Sequence, residues 1–503
     1  LSFYKIHSMK KLILLITAII ILSCKSEIKT EPKPFDQLTS LMDNYAKESL
    51  NNGNINSIAL AIYRDGKYYH NYYGAIDKGA QNLPNDSTHY EIASITKVFA
   101  GSLAAKAVLE KKIDLDDDIR IYLEGNYSNL EYENTPITIK NLLTHTIGLK
   151  QKTPKGLKNV MSKMNNGDYE NSLIDYDINN LLSELKTVEL NKKPGTFYNY
   201  NSVGPELVAY ILQQAYNKPY KKLLEDFLNE LDMNNTYLQE NKTDNKPVIN
   251  NYTSQGQLAY LGKNPLLGAA YGLVTTLPDL SKFMVFQLES TNPLIKESTR
   301  VLFEDDDSTL GYLWQDLGTA KEEGFFYSKT GTSSGVQSGL LLCPDSNYGQ
   351  IIIINNNSEA SSNDWGNLFN TVEKDLIKFP KINLKSILKS EFLKDIDQAC
   401  VQFNSLNKDE KYFNTSLPSA LNSLGYELLY SNRDASKAIE IFEYATQKYP
   451  KSFNLFDSLG EAYFSIGDNN KALVNYKTSL KLNPENVNAE KYISEISRIQ
   501  SQK

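Results

Sequence analysis

The chain has 503 residues, of which 41% are hydrophobic and 22% charged, with a net charge of −7. That is enough for two or three globular domains with a large buried core. The acidic balance and lack of a basic stripe argue against a nucleic-acid partner. Four histidines (His7, His70, His89, His145) and three cysteines (Cys24, Cys343, Cys400) lie far apart, with no zinc-ligand spacing, so no metal and no cofactor are expected.

Near the start, Lys10 and Lys11 precede an apolar run from Leu12 to Leu22, followed by Ser23 and Cys24. A basic start, an apolar stretch and a small residue describe a secretory signal, read with Met9 as its first residue. The run falls short of the ~20 residues that span a bilayer as a helix. Ile21-Leu-Ser-Cys24 resembles a bacterial lipobox, which implies that Cys24 becomes the lipidated first residue of the mature protein. On this reading 1–24 is the signal, 25–35 is a polar, proline-containing tether, and the protein is anchored to the cell envelope, facing the periplasm or the surface. Cys343 and Cys400 fall in different expected domains and read as free thiols.

A helix is expected over 35–49. The apolar run Ser57-Ile-Ala-Leu-Ala-Ile-Tyr63, the turn Arg64-Asp-Gly66 and the aromatic stretch 67–73 together predict a hairpin. The pattern recurs far along the chain, where Gly339-Leu-Leu-Leu-Cys343 leads through Pro344-Asp-Ser-Asn347 into Gln350-Ile-Ile-Ile-Ile354. The segments between read as helix and loop. The expectation is an α+β domain over 36–380, with one antiparallel sheet built from both ends, flanked by helices and interrupted by an inserted helical region.

From about residue 385 the composition turns helical, with connecting helices over 381–420 and a repeat over 421–503. Ala438 and Ala472 lie 34 residues apart, as do Pro450 and Pro484, and Leu424-Gly425 matches Leu459-Gly460. Phe456, Leu459, Gly460, Tyr463, Ala472, Tyr476 and Pro484 fall at the spacings of a tetratricopeptide repeat. Small residues let paired helices approach closely, and the proline stops the second. Two copies need caps, supplied by helices over 387–404 and 487–499.

The chemistry concentrates in four strings. Ser94-Ile-Thr-Lys97 puts a hydroxyl and an amine on one helical face. A neutral amine there takes the hydroxyl proton, so the serine attacks a carbonyl without a histidine. The same spacing at Ser8/Lys11, Ser386/Lys389 and Ser405/Lys408 is incidental; Ser94 differs because it opens a helix-forming segment, where a free backbone N–H forms half of an oxyanion hole. Lys329-Thr-Gly331 ends the aromatic strand Phe325-Phe-Tyr-Ser328. Lys329 brings positive charge, Thr330 and Gly331 line the substrate edge, and Thr332 N–H is the second oxyanion donor. Tyr200, in Tyr200-Asn-Ser202, is the proton shuttle, its phenol made more acidic by Lys97 and Lys329; Tyr198 competes for that role.

With Leu115–Leu123, Ile139–Leu149 (Thr144-His-Thr-Ile-Gly-Leu149) and Gly268-Ala-Ala-Tyr-Gly-Leu-Val-Thr-Thr276, these strings resemble the serine β-lactamase-like family, nearest to class C β-lactamases, their DD-peptidase relatives and related esterases. The resemblance covers about residues 36 to 375. It implies Ser94 as nucleophile, Lys97 as general base, Tyr200 as acid/base and Lys329 as electrostatic anchor, with His145 structural. Two positions depart from the pattern. Ser202 stands where the family has an asparagine that orients the lysine and binds a substrate amide, and Ile147 stands where a serine is common. Asn201, beside Ser202, points elsewhere. A serine at 202 still accepts from Lys97 but reaches less far, which weighs against efficient β-lactam hydrolysis.

The leading expectation is a lipid-anchored serine hydrolase acting through an acyl-serine on esters, peptides ending in a D-residue, or β-lactams, with a helical-repeat tail. The alternative is a catalytically weak cell-wall or peptide-binding protein whose repeat tail docks a protein partner; the intact Ser94/Lys97/Tyr200/Lys329 set argues against it.

Overall fold

The computed structural model describes residues 34–165, 176–239, 248–259, 266–320, 323–413, 416–431 and 434–501. Cys24, the signal and most of the tether lie outside the described residues. The chain divides into two compact units, Leu1–Leu41 and Met42–Lys503, with the boundary inside helix Pro34–Asn51. The sheet, the candidate site and the C-terminal helices all belong to the second. None of the described helices is long and apolar enough to cross a membrane.

The principal sheet has six antiparallel strands in the order Asp316–Ala320, Gly324–Ser333, Val336–Cys343, Tyr348–Ile354, Ser57–Arg64, Lys67–Gly74. The two ends of the domain meet where Ile58 pairs with Ile354 and Ala61 with Ile351. The hairpin forms as the sequence predicts: Arg64 pairs with Lys67, leaving Asp65 (φ 48°) and Gly66 (φ 78°) as a two-residue loop whose left-handed backbone suits the strand twist.

The central strands are buried on both faces, which explains their nearly unbroken apolar sequence. One face, with Leu340, Leu342, Ile351 and Ile353, joins the main core and meets helix Leu277–Gln287, where Met284 packs over Gly349. The opposite face is covered by helix Glu359–Leu376, whose Trp365 indole donates to the Ile352 carbonyl at 3.1 Å. This is the β-lactamase/transpeptidase-like arrangement expected from the sequence, followed by a helical region.

Helix Thr96–Leu109 runs through the main core with eleven of its residues buried, as its all-round apolar sequence demands. Gly101 permits this depth, since a side chain there would run into the Tyr312 carbonyl.

Beyond the sheet domain, one apolar core runs from Leu384 to Ile496. The helix expected over 387–404 is instead two, Leu384–Lys394 and Ile396–Leu406. Asp395 breaks it, adopting an extended backbone (φ −151°, ψ 98°) and accepting the Gln398 N–H at 3.0 Å as an N-cap. Then come the pairs Leu417–Tyr426 with Ala435–Lys448 and Phe453–Ser465 with Asn469–Leu482, and a last helix, Val487–Ser501. Glycine sits at each close approach: a Cβ at Gly425 would overlap the Phe442 ring, and one at Gly460 would lie 3.0 Å from the Tyr476 ring. Within this region Glu427 pairs with Lys385 (2.9 Å) and Lys389 (2.6 Å), and Lys389 also pairs with Glu48 on helix Pro34–Asn51, which ties the region to the sheet domain. Cys343 and Cys400 are both buried free thiols, as expected.

Candidate active site

Ser94 sits in a single 3₁₀ turn, Ala93–Ile95, that leads directly into helix Thr96–Leu109. Ala93 takes a left-handed backbone (φ 46°), a strained conformation that turns the chain sharply just before the serine. One helical turn on, Lys97 donates from Nζ to Ser94 Oγ at 3.0 Å and to the Ala270 carbonyl at 2.6 Å. Lys97 is 1% exposed. Burial holds its ammonium well below the ordinary lysine range, reinforced by the nearby charges of Lys329 and Lys152 and opposed by Glu206. An amine in that condition is available as a base.

The residue that fixes this geometry was not legible as a site residue. Glu206, fully buried on helix Val203–Tyr216, accepts the Ala270 N–H at 2.9 Å and the Leu267 N–H at 2.8 Å. It thereby holds the loop whose carbonyl receives Lys97. Burial pushes its carboxyl up to about 7, against the pull of those backbone donors and Lys97. The available signal was a lone acid amid Val203, Leu207, Val208 and Leu212, all of which are buried.

Tyr200 precedes helix Val203–Tyr216. The amines of Lys329, Lys97 and Lys152 lie 4.7, 5.0 and 5.7 Å from its ring centroid, and the His145 ring lies 4.6 Å away. The expectation that the lysines make this phenol more acidic does not hold. Burial pushes its pKa up to about 12, only partly opposed by the Ser94 hydroxyl and added to by Tyr198. The physical reason is that Lys97 and Lys329 are buried too and have shed much of the charge that would favour a phenolate. Tyr198 stacks edge-on to His145 at 6.3 Å, and none of the described lysine amines lies over its ring.

Ser202 is half-buried at the start of the helix and makes no side-chain capping bond. The expected hydrogen bond from Lys97 to Ser202 is absent among the described residues, because the Ala270 carbonyl occupies that role. Asn201 points elsewhere, as expected: its Oδ1 accepts the Gly204 N–H at 2.8 Å and its backbone N–H approaches His145 Nδ1 at 3.4 Å. His145, itself left-handed (φ 56°) and buried, is held well below its ordinary pKa by burial and the three lysines, so it packs as a neutral ring.

Lys329-Thr-Gly331 lies within its strand rather than at its end, because the strand continues to Ser333. Only Gly324–Ser328 pair with the outer strand, so Lys329–Ser333 present one open edge. Gln315 reaches that edge, accepting from Thr330 Oγ1 at 2.8 Å and from Thr330 N–H at 3.4 Å. The two-residue alternation of strand donors turns the Thr332 N–H to the same edge. Gly331 brings the strand against the turn that carries Ser94: a Cβ there would run into the Ile92 carbonyl and come within 3.0 Å of Ser94 N. Lys329 is fully buried, its Nζ lacks a hydrogen-bond partner among the described residues, and burial lowers its pKa to about 7 while Asp316 opposes the shift. No cluster of metal-ligating side chains occurs among the described residues.

Comparison with known proteins agrees with this architecture. Protein flp of Staphylococcus aureus (strain MRSA252) is 27% identical over 334 residues, which is 63% of this chain and 63% of that protein's length. A β-lactamase/D-alanine carboxypeptidase from Yersinia pestis, solved with citrate, superposes with a TM-score of 0.56 at 20% identity, covering 68% of this chain and 99% of that one. A class C β-lactamase superposes with a TM-score of 0.57 at 19% identity, covering 69% and 100%. The Beta-lactamase family profile matches residues 42–371, and the chain belongs to that family.

Proposed function

We propose that the protein is a serine hydrolase that transfers an acyl group to Ser94 and then to water. The observation that carries this reading is the buried Lys97 amine, depressed in basicity, 3.0 Å from Ser94 Oγ. Ser94 Oγ bonds to the substrate carbonyl carbon as its proton passes to Lys97 Nζ. The developing oxyanion is met by the N–H groups of Ser94 and Thr332. The carbonyl re-forms as the bond to the leaving group breaks, and that group takes a proton relayed from Lys97 through the protonated Tyr200 hydroxyl. Water then attacks the acyl-serine, gives its proton to the same pair, and frees the acid while Ser94 regains its hydrogen. Lys329 steadies negative charge, and the open edge at Thr330–Thr332 binds the substrate by strand pairing.

The substrate classes are esters, peptides ending in a D-residue, and β-lactams. Ser202 in place of an amide side chain favours the first two. The elements 381–420 and 421–503 are proposed as connecting helices and tetratricopeptide repeats that dock a protein partner, supported by the 34-residue spacing and by a glycine within each helix pair, Gly425 against Phe442 and Gly460 against Tyr476. Cys24 is proposed as the site of lipidation, tethering the enzyme to the bacterial cell envelope.

Profiling the purified protein against 4-nitrophenyl esters, a chromogenic cephalosporin and D-alanyl peptides tests the reading. Turnover of at least one class, lost in Ser94→Ala, is expected; no turnover and no acylation across all three would overturn it.

A further inference from the structure

Three amines surround the Tyr200 ring, and the reaction above uses two. The third, Lys152, is solvent-exposed with its Nζ 5.7 Å from the ring centroid. It is held at the rim of the site by anchors on both sides. Before it, Lys150 N–H donates to the Glu189 carbonyl at 2.9 Å, Asn191 N–H donates to the Gly148 carbonyl at 3.0 Å, and the Lys150 and Glu189 side chains pair at 2.5 Å. Gly148 (φ 77°) allows that contact, since a side chain there would strike the Lys192 carbonyl. After it, Pro154 is buried and its carbonyl accepts Lys158 N–H at 2.8 Å.

The charge around it is unbalanced. Glu206 lies beneath Lys97 with both carboxyl oxygens taken by backbone donors. Asp316 faces Lys329 and accepts from Ser328 Oγ at 3.1 Å. Among the described residues, Lys152 has no ion pair or hydrogen bond, and the buried Lys329 Nζ has no hydrogen-bond partner. The exposed Lys152 cation at the mouth is therefore positive charge that no described side chain balances, set 5.7 Å from the ring that the buried Lys329 amine also approaches at 4.7 Å, and it is left for the ligand to match.

We propose that Lys152 makes the site selective for substrates carrying an anionic group close to the scissile carbonyl. This rests on the hydrolase reading and narrows its substrate class. A lysine contributes a point charge on a flexible stem, so it selects for charge and position rather than for a particular fork geometry.

The test compares kcat/KM for a neutral ester, 4-nitrophenyl butyrate, with two anionic ones: mono-4-nitrophenyl adipate, charged on the acyl side, and 4-acetoxybenzoate, charged on the leaving group. The readout is the ratio of anionic to neutral ester, so any effect of Lys152 on Lys97 basicity cancels. In Lys152→Gln the ratio should fall roughly tenfold for at least one anionic ester, further in Lys152→Glu, with recovery in Lys152→Arg, and the wild-type preference should shrink with added salt. The ester that responds tells which side of the scissile bond Lys152 serves. Turnover of the neutral ester with both ratios unchanged in Lys152→Gln and Lys152→Glu would overturn this proposal alone. Failure of the wild type to acylate Ser94 with any ester would overturn the hydrolase reading, and this inference with it.

Discussion

Glu206 and Lys97 are joined through a single residue: Ala270 gives its N–H to the Glu206 carboxyl at 2.9 Å and receives the Lys97 ammonium on its carbonyl at 2.6 Å. In the proposed reaction Glu206 thus positions Lys97 without itself touching the substrate. Its negative charge also favours protonated Lys97, opposing burial. Glu206→Gln removes that charge, so Lys97 should lose its proton more readily. Acylation depends on neutral Lys97 and is lost as pH falls through its pKa, so the acid limb of kcat/KM should move to lower pH. Gln also sets an amide donor against one of two backbone donors, costing about 1–3 kcal/mol. The expected result is a roughly tenfold drop in acylation with a shifted limb. A drop with an unmoved limb would reduce Glu206 to a packing role.

Lys329 is costly to bury. Its pKa of about 7 inside the fold, against 10.5 for an ordinary lysine, means that charging it there costs on the order of 5 kcal/mol. Between those two values the unfolded chain holds a proton that the folded one lacks, so this group's contribution to stability rises with pH. Lys329→Met should therefore raise stability at pH 7 by about 1–4 kcal/mol while abolishing acylation. Its advantage over the wild type should narrow as pH climbs toward 10.5, a trend that paired denaturant titrations at several pH values measure directly.

Gly331 and Gly366 offer a contrast. A Cβ at Gly331 would collide with the Ile92 carbonyl and sit 2.6 Å from Ser338 Oγ, whereas one at Gly366 meets nothing within 4 Å. Gly331→Ala should push the Ser94 turn away from its strand, lowering stability by about 2 kcal/mol and acylation at least a hundredfold. Gly366→Ala, inside helix Glu359–Leu376, should instead stabilise by roughly 0.5–1 kcal/mol. Thermal melting and probe acylation of the two variants separate these outcomes.

The C-terminal helices keep a core of their own, from Leu384 to Ile496. Gly425→Ala drives a methyl group into the Phe442 ring and should destabilise that core by about 1–3 kcal/mol. Ser94 acylation should persist, because the main core that carries Ser94 does not include this contact. Hydrogen exchange localised to 417–448, with unchanged ester turnover, is the expected signature. A matching loss of turnover would show that the tail braces the site.

The hairpin at Asp65-Gly66 and the far Ile351–Ile354 strand were legible because turn chemistry and apolar runs are local signals. Ser94, Lys97, Tyr200 and Lys329 were legible as an ordered set, and the structure does gather them. What escaped depends on distances the sequence does not carry. Tyr200 is less acidic than the lysines around it suggest, because Lys97 and Lys329 are as buried as it is. The partner of Lys97 turned out to be a backbone carbonyl, held by an acid 64 residues from it in the chain, a relation without a motif. Lys152 had no local signal at all, and the break at Asp395 hid in a stretch whose residues all tolerate helix.

The most direct measurement is intact-protein and peptide mass spectrometry after a short exposure to 4-nitrophenyl butyrate. One butyryl group per chain is expected, carried on the peptide containing Ser94, decaying with time in wild type and absent from Ser94→Ala. A stable absence of label on that serine while ester is consumed, or the same label in Ser94→Ala, would contradict it.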